Sequence, residues 1–119
     1  MSDSVKQITR QLTIKTGSLK RLAKEVDLYK KEYAEQSHVV ERLSSANGDE
    51  WELKNARKVL KDCEQMLAPS QERVKEAFDD LSALVEDTAE EEEIVSTAEY
   101  GKAKELLGQI DVSGGQALE

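Results

Sequence analysis

His38 and Cys63 are the only histidine and the only cysteine in this chain of 119 residues. Neither has the companions that chemistry requires. His38 falls on the outward face of a long helical pattern, with no Cys, Ser or Asp constellation around it, and reads as a solvated surface side chain. Cys63 falls on an apolar stripe and reads as a small hydrophobe in a reducing compartment. A structural zinc site takes about four Cys or His ligands, more than one chain offers here, and a lone Cys cannot close an intrachain disulfide. Carboxylates are plentiful, as in Asp79-Asp80 and Glu90–Glu93. In so acidic a chain they read as solvated faces, because no enclosed cleft is implied that would shift their pKa values. Gly114-Gly115 has no following helix or Lys to make a phosphate cradle. The expectation is a protein without catalytic residues, metal, cofactor or small-molecule substrate.

Residues suited to gripping another protein are easier to find. Residues 1–31 hold 8 Lys/Arg against 3 Asp/Glu, net +5, whereas residues 32–119 hold 9 against 22, net −13. The basic end is concentrated in Lys15, Lys20, Arg21 and Lys24. It suits an acidic partner surface, and it suits equally a local neutralisation of neighbouring acidic helices. Nucleic acid is excluded as a partner, since the remaining negative charge repels phosphate. Trp51 lies off the apolar stripe, where it either anchors a partner or caps the end of a bundle. Val59 and Met66 form an apolar shoulder that packs on Leu28 or Val39 or stays open. No apolar run approaches the ~18 residues of a membrane span, and the N-terminus has no signal-peptide core. A cytoplasmic protein is expected.

Helices must position these residues. A 3–4 count from Val5 passes through Ile8, Leu12, Lys15, Leu19, Leu22, Val26, Tyr29, Tyr33, Gln36, Val40 and Leu43. A second runs from Leu53 through Ala56, Leu60, Cys63, Leu67, Ser70, Val74, Ala77 and Leu81 to Leu84. Sustained 3–4 alternation keeps one row of side chains against a partner helix. On this pattern Leu22 and Leu60 are buried seam positions, and Lys15 must snorkel to an acid of the second helix. Ser44-Ser45-Ala46-Asn47-Gly48 supplies the chain reversal. The pattern predicts helices over about 5–45 and 50–87, the first roughly 60 Å long. Asp49 with Glu52 forms a capping box at the start of the second. Pro69 bends that helix without ending it, since the stripe keeps its phase on both sides. Ser96 with Glu99 predicts a short third helix near 97–110, packed on the open end of the hairpin over Phe78 and Val85. The expected fold class is all-α, a three-helix bundle built on a coiled-coil-like hairpin with no strands. Residues 1–112 form one domain, and 113–119 a disordered tail.

Several stretches carry a resemblance. LTIKTGSLKRLAKE at Leu12–Glu25 resembles the opening helix of the tubulin-binding cofactor A family. WELK at Trp51–Lys54, VLKDCEQMLAP at Val59–Pro69 and EYGKA at Glu99–Ala103 resemble later segments in order and spacing, so that about residues 8–110 are covered. Two departures stand out. The family's Met-Met-Ile-Pro-Asp-Cys is here Met66-Leu-Ala-Pro-Ser-Gln71, so Cys63 is not the family's cysteine, and Glu86–Thr97 is longer and more acidic than usual. The resemblance implies a three-helix chaperone without nucleotide or metal. Such a protein captures β-tubulin after chaperonin release and passes it, with other tubulin-folding cofactors, towards the αβ heterodimer. Lys15, Lys20, Arg21, Lys24, Trp51, Val59 and Met66 would then be its β-tubulin contacts. The protein would be cytoskeleton-associated, as a monomer or weak homodimer. The competing reading is a coiled-coil adaptor that homodimerises through the same seam; a vesicle-tethering role would need an anchoring signal.

Overall fold

The computed structural model describes residues 2–111 and 116–117, with side chains over 2–110. Its elements are α1 (Asp3–Ser45), α2 (Glu50–Asp87), α3 (Glu92–Val95), α4 (Ala98–Gln109), β1 (Ile110–Asp111) and β2 (Gln116–Ala117). The two long helices lie antiparallel in a rod of 67 × 22 × 18 Å. The class is all-α, as the apolar periods require. Two elements depart from the sequence reading: a one-turn helix, α3, precedes the expected third helix, and β1 and β2 form a two-residue antiparallel pair, Ile110 with Ala117 and Asp111 with Gln116. The rest of the 113–119 tail lies outside the described residues.

Helix ends follow local chemistry. Ser2 caps α1, its Oγ accepting from Val5 N at 3.2 Å. At the other end Asn47 takes a left-handed φ of 52°, and Gly48 N donates to Leu43 O at 2.9 Å. That bond satisfies one of the carbonyls an ending helix leaves unpaired. Glycine suits the position after Asn47, because a Cβ on Gly48 would sit 3.1 Å from Leu43 O, tighter than an ordinary contact. Asp49 then caps α2 through its carboxylate, which accepts from Trp51 N at 3.0 Å. The α2 helix runs unbroken through Pro69. Beside the proline, Ser70 is almost fully buried, and its hydroxyl donates to Leu67 O at 2.8 Å. Ser96 is not the cap of the third long element. Thr97 is, its Oγ1 accepting from Tyr100 N at 3.2 Å. The displaced cap reflects α3, a single turn that the acidic run Glu90–Glu93 conceals in sequence.

Burial divides the rod in two. At the open end Val5, Leu12, Leu19, Ala23 and Val26 of α1 meet Val74, Leu81 and Val85 of α2. Tyr100 and Ala103 of α4 close that core, with Ile110 and Ile94 beside them. Ile94, in α3, is fully buried although it follows four glutamates. Tyr100 Oη donates to Val85 O at 3.4 Å, tying α4 to α2. Thr9, Thr16 and Ala23 recur every seven residues along α1, and all three are wholly or largely buried. Small side chains at this spacing leave room for a third helix.

At the turn end only α1 and α2 face each other. Tyr29, Tyr33, Val40, Leu43, Leu53, Leu60, Cys63 and Leu67 all remain partly exposed there, and Ala56 alone is buried. Two helices enclose a seam from two sides only, so its rims stay wet. Leu60 is therefore corrected from a buried to a partly exposed position; Leu22 is partly exposed as well, at the edge of the open-end core against which it packs. A charge placed at either can bend towards water.

Polar residues on the stripe set the register. Lys15 Nζ pairs with Asp80 at 2.5 Å, as its seam position predicts. Gln36 Nε2 donates to Ala56 O at 2.9 Å. With these two contacts fixed, Met66 comes level with about Leu28, across the hairpin.

Candidate protein-binding site

No group of three or more His, Cys, Asp or Glu able to hold a metal ion occurs among the described residues. No helix among them is long and apolar enough to cross a membrane. Surfaces for other proteins are what the geometry provides.

The first surface lies on α1. Lys20, Arg21 and Lys24 are exposed along its outer side. Lys15 is set apart from them, with its ammonium turned to Asp80 across the hairpin. At 27% and 59% side-chain exposure the pair is wet, and exposed pairs of this kind contribute roughly 0–1 kcal/mol. Its consequence is positional: one cation of the predicted group is occupied within the chain. Lys20 borders a groove with Lys102, Glu105, Leu106 and Gln109 of α4, so the third helix forms one wall beside the basic face.

A second surface is apolar. Val59 is 40% exposed, Met66 47% and Leu28 52%. Of the two alternatives for Val59 and Met66, packed or open, the structure shows a partly open shoulder. The reason is geometric. The α4 helix spans only 12 residues at the far end of the rod, on the side of Phe78 and Val85. Ile14, 51% exposed beside Ile8 and Leu84, adds an apolar position on α1 that the periodic count did not mark.

Trp51 is the most exposed large hydrophobe, at 70%. It does not cap the bundle end, and it does not join Val59 and Met66. In the first turn of α2 it lines an open groove with Lys54, Asn55, Arg57, Lys58 and Lys61. Sequence reasoning placed the indole but missed these cations. Their spacing of three, four and seven residues was the available signal, since it puts them on one face of a helix.

The family model described as "Tubulin binding cofactor A" matches residues 7–107. The Homo sapiens protein Tubulin-specific chaperone A is 31% identical over 101 residues, 85% of this chain and 91% of that protein. The Saccharomyces cerevisiae protein of the same name is 35% identical over 100 residues, 82% of this chain and 93% of its own length. Among solved structures, human tubulin chaperone cofactor A superposes with a TM-score of 0.74 at 30% identity, over 85% of this chain and 95% of that one. The Arabidopsis thaliana tubulin folding cofactor A gives a TM-score of 0.80 at 27% identity, over 90% and 96%. The match extends over both long helices and α4, the elements that carry the two open surfaces, and on it the chain belongs to the tubulin binding cofactor A family.

Proposed function

We propose that this protein is a tubulin-folding chaperone that captures quasi-native β-tubulin and passes it on for assembly of the αβ heterodimer. The observation behind this reading is that relatives named Tubulin-specific chaperone A align over nine-tenths of their own length with this chain. The surfaces suit the task. A holding protein needs adhesive area that its own folding has not consumed, and a rod with one uncovered seam offers it. Binding and release then require no chemistry, only contacts strong enough to hold and weak enough to leave.

The exposed surfaces divide the work. The exposed cations Lys20, Arg21 and Lys24, beside the ion-paired Lys15, steer an acidic partner into encounter. Trp51, Val59 and Met66 supply short-range energy, and Trp51 is the strongest anchor because an indole buries the largest area.

The test is capture of purified β-tubulin followed by rapid mixing. Lys20→Glu/Arg21→Glu slows association about tenfold at low salt and little at high salt, as expected for steering. Trp51→Ala raises the off-rate about 30-fold at every salt, the equivalent of ~2 kcal/mol for an interface anchor. Unaltered kinetics in both variants, with helicity intact, would move the contact surface to the outer face of α2 beyond Pro69. Self-association without any tubulin complex would instead support a homodimerising adaptor.

A further inference from the structure

Lys54, Arg57, Lys58 and Lys61 are all exposed on one flank of α2. Among the described residues the one ion pair is Lys15–Asp80, so none of the four makes an ion pair with another described residue. Trp51, one turn before Lys54, borders the same groove and is 70% exposed. Folding makes no use of this flank, which lies off the seam and beyond the reach of α4. An indole left so open keeps on the order of 150 Å² of apolar and aromatic surface in water. Four cations on one flank beside it repel one another. Both costs are relieved by the same occupant.

We infer that Trp51, Lys54, Arg57, Lys58 and Lys61 form a docking site for a short acidic segment of a partner protein that carries an apolar or aromatic side chain. Carboxylates pair with the ammonium and guanidinium groups, and the apolar residue lies on the indole face. The flank from Trp51 to Lys61 is about 15 Å long at the rise of a helix. Roughly five extended residues at about 3.3 Å each span it. Carboxylates border it at Glu50, Glu52, Asp62 and Glu64. They bar a long uniform polyanion, which must run past the patch onto like charge, and admit a segment that ends where the patch does. The inference rests on the chaperone reading for its kind of partner. Its test contains no tubulin, so the two can fail separately.

Trp51 is the only tryptophan in the chain, which makes its emission a direct reporter. A ten-residue peptide of Glu flanking a central Phe is titrated into the full chain, alongside its Gln-for-Glu counterpart. The acidic peptide shifts the emission to the blue and shields the indole from acrylamide, more weakly as salt is raised; the neutral peptide does neither. With labelled peptide and anisotropy, Lys54→Glu/Lys58→Glu/Lys61→Glu binds at least tenfold more weakly, and Lys58→Gln/Lys61→Gln several-fold more weakly. Lys75→Glu/Lys102→Glu/Lys104→Glu makes the same change in net charge elsewhere and retains binding to within about twofold. Equal binding of the neutral peptide overturns the inference, as does equal loss in the two triple variants. Tighter binding of a ten-nucleotide single strand or of phosphatidylserine vesicles also overturns it, since the site would then be built for another class of partner.

Discussion

Truncating one leucine at each end of the rod tests the division between its three-helix and two-helix halves. Leu81 is fully buried and packs in the cluster closed by Tyr100 and Ala103. Leu81→Ala loses the transfer energy of one methine and two methyl groups, about 2.4 kcal/mol at ~0.8 kcal/mol per carbon. It also leaves a cavity that neighbouring helices fill only in part, which brings the cost to about 3–4 kcal/mol. Leu60 occupies the same heptad position at the turn end but is partly exposed. There water fills the space and no closed cavity remains, so Leu60→Ala costs about 1.5 kcal/mol. The gap of ~2 kcal/mol corresponds to roughly 6–10 °C in Tm for a domain of this size. Urea titration followed by circular dichroism at two protein concentrations measures it, with equal m-values as the check that the unfolded states match. Equal costs for the two substitutions would refute the reasoning, because they would mean that the turn-end seam is as closed as the core. A concentration-dependent cost at Leu60 would identify a second copy as what closes it.

Two further outcomes follow from backbone geometry. Gly17→Ala stabilises the protein by about 0.5–1 kcal/mol, since Gly17 lies inside α1 and a Cβ there meets nothing within 4 Å; thermal unfolding reads the gain. Thr97→Ala costs about 1 kcal/mol and lowers amide protection over Ala98–Gln109, whereas Ser96→Ala leaves that protection unchanged, because only Thr97 caps α4.

The hairpin was legible because its period is long and nearly unbroken. Twelve stripe positions on α1 outweigh one interior glycine, and even the polar exceptions found partners, Lys15 at Asp80 and Gln36 at the Ala56 carbonyl. Depth of burial was not legible. The 3–4 rule marks Leu60 and Leu81 alike, but only the position of α4 decides which of them a third helix can shelter. Thr9, Thr16 and Ala23 carried that information in their small size, a weaker signal than hydrophobicity. Ile94 was hidden for the opposite reason: four glutamates dominate its surroundings in sequence, while in space it points into the core. At the candidate surfaces, the place of Trp51 off the stripe left it either exposed or capping the bundle end, and it is exposed. Its neighbours went unmarked, because attention to apolar spacing passes over the equally regular spacing of Lys54, Arg57, Lys58 and Lys61.

The register set by Lys15 with Asp80 and Gln36 with Ala56 makes the rod a ruler. Counting along it, the α1 cations around Arg21 and the α2 cations around Lys58 stand roughly 20 Å apart at 1.5 Å per residue. That separation exceeds the screening length of about 8 Å in physiological salt, so charge at one site does not alter the strength of the other. A ligand that reaches both nonetheless gains from the pair, since its second contact forms at the high effective concentration created by the first. Paired helices do not stretch or shorten to meet a mismatched partner. Selectivity then comes from spacing as much as from chemistry: two modest patches at a fixed interval hold firmly only a surface that repeats the interval, and let go of one that has changed shape.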